Sequence, residues 1–190
     1  MKEIFKKNNR KWVIAIAVMV AIIIVLSVLL VLESKGVFYA ANEVSVTITP
    51  PKRADSEIHT AGDYQYALLE DGTVMIVVYT GNGEESIEIP GTLAGKQVSA
   101  IGEAAYGGLT VGNAKKITVS EGITYIGKNV FLGADKVTLY LPSTLKQVEK
   151  DAMYGCEEPV AIYFAGTRAQ WNEVKIGAGN KVLSIVNCTG

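Results

Sequence analysis

Four short segments, SIEIP, KITVS, TLYLP and AIYFA, place apolar pairs beginning at Ile87, Ile117, Leu139 and Ile162, at spacings of 30, 22 and 23 residues. A second register accompanies the first. Val98/Ile101, Ile123/Ile126 and Leu145/Val148 keep a three-residue step, a bulky side chain follows at Tyr106, Phe131 and Met153, and a glycine comes two positions later at Gly108, Gly133 and Gly155. A period of roughly 20–29 residues with one short strand per repeat limits the fold sharply, because no single unit buries its apolar face and neighbouring units must stack into a solenoid. Strand alternation sends Ile87 and Ile89 and their counterparts inward and the residue between them outward. The predicted core column takes in Val98, Ile101, Tyr106, Ile123, Ile126, Phe131, Leu145, Val148, Met153, Phe164 and Trp171. Five extra residues around Gly91 to Gly95 and three more in the Thr110 to Lys115 region lengthen the first spacing; both fall between apolar anchors and are expected as loops.

Ahead of the repeats, YQYALL and TVMIVVY flank Glu70-Asp71-Gly72. Asp-Gly between two such runs predicts a β-hairpin, since both turn residues tolerate positive φ, and this hairpin is expected to cap the first coil. Residues 33–61, with Pro50-Pro51 and a charged stretch from Lys52 to Glu57, read as an extracytoplasmic stalk.

Further upstream the composition is of another kind. Val13 to Leu32 is a run of 20 residues whose only polar member is Ser27. At ~1.5 Å per residue a helix of that length crosses ~30 Å of hydrocarbon. Lys2, Lys6, Lys7, Arg10 and Lys11 precede it against Glu3 alone, and Trp12 stands at the boundary. Residues 1–11 are therefore expected in the cytoplasm, 12–32 as a transmembrane signal anchor, and the remainder outside. A cleaved signal peptide is the alternative, with small residues at Ala40-Ala41; its apolar core is usually shorter, roughly 7–15 residues. The anchored chain is a single-pass membrane protein with an extracellular C-terminal domain, the cleaved chain a secreted one.

Charge divides at the same place. The first 32 residues carry +4 and the rest −5, so the formal net charge of −1 is a cancellation. An acidic exterior without a basic cluster argues against nucleic acid and anionic lipid as partners. Two cysteines, Cys156 and Cys188, are too few for a disulfide framework, although export leaves open a single bridge between them.

With these features placed, a family resemblance emerges. IEIPGTLAGKQVSAIGEAAYGG, ITVSEGITYIGKNVFLGA and LYLPSTLKQVEKDAMYGC resemble the repeating unit of BspA-type leucine-rich-repeat proteins. The ending, with Gly166-Thr167 and Gln170-Trp171, is similar to the GT-QW terminal unit of that family. Val148-Glu149 in place of Ile-Gly, Met153 in place of an aromatic and Ser120 in place of proline depart from the pattern without disturbing the apolar spacing. The resemblance covers residues 62–190 and implies a mainly β fold: a leucine-rich-repeat solenoid of about four coils with a capping hairpin and a GT-QW unit, displayed on a bacterial surface, in some members for adhesion.

Catalytic chemistry has little material. The lone His59 falls in the expected stalk as a solvated linker histidine, and Cys156 occupies a small apolar corner of its repeat, as a buried thiol would. Asp71-Gly72 and the run from Gly81 to Glu85 lack the alternating carboxylates of a calcium loop. No cofactor, metal or enzymatic activity is expected. The outward row is the candidate contact surface: Glu88, Thr118, Tyr140 and Tyr163 should project side by side, flanked by Ser86, Lys116, Thr138 and Ala161. Adjacent exposed tyrosines favour recognition of a protein or surface glycan, while a tyrosine ladder also stabilises neighbouring strands by ~0.2–1 kcal/mol per pair with no ligand. A structural role, supporting an envelope neighbour or self-associating, is the competing expectation.

Overall fold

The computed structural model describes residues 46–81, 85–103, 114–134, 136–156 and 159–190. The expected transmembrane run, the first part of the stalk, Tyr106 and Gly108 lie outside the described residues. The compact unit is Val46–Gly190.

Its strands, in chain order, are β1 (His59–Ala61), β2 (Tyr64–Leu68), β3 (Val74–Tyr79), β4 (Ser86–Ile89), β5 (Thr92–Leu93), β6 (Lys96–Ile101), β7 (Lys116–Val119), β8 (Tyr125–Ile126), β9 (Thr138–Leu141), β10 (Gln147–Val148), β11 (Ala161–Phe164), β12 (Lys175–Ile176) and β13 (Asn187–Cys188). They form two sheets. The first runs β1-β2-β3-β6-β8-β10-β12 with β5 paired to β6, and the second runs β13-β11-β9-β7-β4. From β3 onward the neighbours along both paths are parallel. Successive passes of the chain thus contribute one strand to each sheet, which is the expected solenoid.

The inward rows are continuous. Ile87, Ile117, Leu139 and Ile162 stand in register across the second sheet, and Ile76, Ile101, Ile126, Val148 and Ile176 across the first. All the predicted core residues that are described belong to one buried cluster. Phe131 and Phe164 are fully enclosed.

The leading hairpin forms as predicted, its turn held by Asp71, whose carboxylate accepts from the Thr73 amide at 2.9 Å and the Thr73 hydroxyl at 2.6 Å. It does more than cap: β3 pairs in parallel with β6 and becomes the first rung of the first sheet. The insertion at Gly91 to Gly95 is not a plain loop. Ala94 at φ 50° and Gly95 at φ 76° make a two-residue turn between β5 and β6, the left-handed pair that tight hairpins require. At the other end, Thr167 caps the helix Arg168–Glu173 in a reciprocal box with Gln170. This seats the buried Trp171 ring 5.1 Å from that of Phe164. The terminal unit also adds a fifth strand to the second sheet, β13, that the repeat spacing had not counted.

The stalk expectation needs correction over its described part. Residues 46–61 belong to the folded unit. Arg53 bridges Leu69, the Ala54 amide donates to the Leu68 carbonyl, and the Glu70 amide donates to the Lys52 carbonyl. β1 pairs antiparallel with β2. His59 accordingly is not a solvated linker residue: it opens β1 and stacks on Tyr66 with centroids 5.3 Å apart.

Candidate functional site

The outward row of the second sheet is assembled by register. Glu88 pairs with Thr118, Thr118 with Tyr140, Tyr140 with Tyr163, and Tyr163 with Asn187. The neighbours Ile87, Ile89, Ile117, Val119, Leu139, Leu141, Ile162 and Phe164 are buried, so alternation leaves this row facing away from the core. The sequence placed four of its members; Asn187 was missed because β13 has no apolar-pair signature of its own.

Tyr140 and Tyr163 stack, with centroids 5.1 Å apart and planes 19° from parallel. The Lys116 ammonium lies 5.1 Å from the Tyr140 centroid on the same sheet, a cation–π geometry. Beside the pair an open groove of about 490 Å³ is lined by Thr118, Glu121, Tyr140, Pro142, Tyr163 and Thr189 among others. Glu121 is committed to a turn: it accepts from the Ser143 amide at 2.8 Å, the Ser143 hydroxyl at 3.0 Å and the Thr144 amide at 3.3 Å. Glu88 does not join the tyrosines. It is three strands from Tyr163, about 14 Å at ~4.8 Å per strand, and its carbonyl accepts from the Tyr64 hydroxyl at 2.8 Å. The row therefore divides into an edge tied to the hairpin and an aromatic half with one cation.

The first sheet carries a second recess, which sequence reasoning missed. Its outer row is Met75, Ala100, Tyr125, Gln147 and Lys175, and Pro50, Pro51 and Arg53 close a space of about 250 Å³ against Met75, Glu103, Tyr125 and Glu149. The Tyr125 hydroxyl donates to Glu149 at 3.1 Å. Burial foremost, then the negative charges of Glu149 and Glu103, hold the Tyr125 phenol well above the ordinary tyrosine range. Glu149 occupies the position where neighbouring rungs have Gly127 and Gly177, so the departure from the repeat pattern supplies this carboxylate.

Cys156 is buried and its thiol donates to the Ala134 carbonyl at 3.0 Å, as expected of a structural cysteine. Cys156 and Cys188 are not bridged. Among the described residues, no three of His, Cys, Asp or Glu converge as metal ligands.

No family model and no curated protein matches the chain. Among solved structures it is similar to a leucine rich repeat protein of T. pallidum, at 19% identity and TM-score 0.49, over 58% of this chain and 54% of that one. It is also similar to a leucine rich cell surface protein from Faecalibacterium prausnitzii, at 25% identity and TM-score 0.48, over 58% of this chain and 30% of that one. A leucine-rich repeat protein from Bacteroides capillosus matches at 19% identity and TM-score 0.49, over 71% of this chain and all of that one. The match spans about half the length of the first of these proteins.

Proposed function

We propose that this chain is a membrane-anchored, surface-displayed leucine-rich-repeat module of BspA type that binds a protein or surface-glycan ligand and catalyses no reaction. The anchor is the apolar run 13–32, oriented by the basic residues before it. The observation that carries the binding role is the Tyr140–Tyr163 stack beside an open groove, flanked by the Lys116 ammonium. Stacked phenols offer a rigid surface with polar edges at small conformational cost, and the two-sheet scaffold holds them without a flexible loop.

Two measurements test the reading. Protease shaving of intact cells should release fragments from residues 33–190; failure to release any would contradict the topology. A Tyr140→Ser, Tyr163→Ser double variant should lose whatever ligand the wild-type chain captures from surface or matrix fractions. Capture unchanged in a folded double variant would exclude the tyrosine face as the site.

A further inference from the structure

Tyr140 and Tyr163 are Cα partners on adjacent parallel strands, β9 and β11, so their side chains leave the same face of the sheet from points ~4.8 Å apart. The rings keep that spacing, with centroids 5.1 Å apart and planes 19° from parallel. Tyr140 meets the Lys116 ammonium from β7, the strand on its other side, so its ring is flanked on both sides. Tyr140 is 38% exposed, Tyr163 is half-buried, and the groove beside them is open to solvent. Two phenols are thus held side by side, within reach of each other and of a small reagent.

The other described tyrosines each lack part of this arrangement. Tyr64 and Tyr79 also lie 5.1 Å apart, but their planes are tilted by 37°, Tyr79 is buried, and the Tyr64 hydroxyl donates to the Glu88 carbonyl. Tyr66 stacks on His59 rather than on a phenol. Tyr125 is buried and donates to Glu149. Tyr154 is exposed, and among the described residues no aromatic ring stacks on it.

We propose that Tyr140 and Tyr163 are a site of oxidative cross-linking, at which a one-electron oxidant fed by hydrogen peroxide joins the two rings into a dityrosine bridge between adjacent rungs. Each phenol gives up one electron and its hydroxyl proton, leaving a phenoxyl radical with spin density on the ring carbons next to the oxygen. A carbon–carbon bond then forms between one Cε of Tyr140 and one Cε of Tyr163. The two Cε–H protons pass to solvent while the phenol oxygens regain protons, so the protein loses two hydrogen atoms in all. Those two electrons and two protons reduce one hydrogen peroxide to two waters. Radical coupling is ordinarily limited by the meeting of two short-lived species, and here the sheet brings the partners together before oxidation begins. The site rests on strand register and ring geometry, and stands whether or not the tyrosine face binds a ligand.

The test treats the dilute full chain in detergent with a haem peroxidase and hydrogen peroxide. The monomer should acquire dityrosine fluorescence and lose the mass of two hydrogen atoms, and fragmentation of its peptides should place the bond between Tyr140 and Tyr163. Tyr140→Phe and Tyr163→Phe each keep a ring in the stack but remove one of the two coupling phenols. Either should cut the yield of cross-linked monomer at least about tenfold, whereas Tyr154→Phe should leave it unchanged. The coupled monomer should also unfold at a higher denaturant concentration, because the bridge closes a 23-residue loop in the unfolded chain. No coupling, cross-links only between molecules, a bond mapped to another tyrosine, undiminished yield in a folded Phe variant, or an unraised midpoint would each overturn the proposal. Should a Phe variant misfold, the position of the bond in the wild-type chain decides.

Discussion

The Thr49 amide donates to the side-chain oxygen of Gln147 at 3.0 Å, joining residues 98 positions apart. One belongs to the segment that enters the fold and the other to the fourth rung of the first sheet. The contact shows that the chain reaches its leading hairpin by first crossing the sheet. An exposed neutral hydrogen bond contributes at the low end of ~0.5–1.5 kcal/mol. Gln147→Ala should accordingly leave the denaturation midpoint nearly unmoved while speeding hydrogen exchange at Thr49. Exchange at Ile117 and Ile126, in the rungs, should not change. A global loss of protection would contradict the local role.

Phe164 is fully buried and packs its ring 5.1 Å from Trp171. Phe164→Ala should cost ~3–5 kcal/mol, since the cavity is walled by stacked rungs that cannot collapse independently. Leu132, at 50% exposure, should tolerate alanine within about 0.5 kcal/mol. Chemical denaturation of both variants checks the contrast.

Gly127 is a packing glycine. A Cβ there would stand 2.8 Å from the Gly102 carbonyl carbon and 3.0 Å from the Glu103 nitrogen, both backbone atoms that move only if the rungs separate. Gly127→Ala should destabilise by ~1–3 kcal/mol, the range for overpacking. Retention of wild-type stability would mean that the coils have slack along the solenoid axis.

The Tyr125 phenol titrates above its ordinary range because burial and two carboxylates disfavour the phenolate. A folded-state value raised above the unfolded one makes a contribution to stability that is complete below about pH 10, the ordinary tyrosine value. That contribution is lost as pH climbs through the raised folded value. Tyr125→Phe should therefore flatten the decline in stability above about pH 10. Glu149→Gln keeps an acceptor but removes the nearest charge, and should bring the phenol back toward its ordinary range in a UV-monitored titration. An unchanged titration would exclude Glu149 as a cause.

Much of the solenoid was legible in the sequence because its determinants are local and repeated. Ile87, Ile117, Leu139 and Ile162 recur at intervals set by one pass of the chain, and period-two alternation assigns the residue between each pair to the outer face. Register then follows, which is why Glu88, Thr118, Tyr140 and Tyr163 fall into a row as expected. The fifth strand was harder to read, since β13 has two residues and is recruited by pairing with β11 rather than by an apolar pair.

The sequence by itself determined the repeat, the inward column, the hairpin at Asp71-Gly72 and the outward tyrosines, all consequences of periodicity and turn chemistry. Only the tertiary structure decided where residues 46–61 go. Pro50-Pro51 and the charges from Lys52 to Glu57 look the same to a sequence reader on a stalk and on a segment laid across a sheet. The difference lies in Met75, Ala100 and Tyr125, which come from three separate passes of the chain and form an apolar surface only when the rungs are stacked. Packing of Ile48 against that surface is a long-range free-energy term that no local pattern encodes.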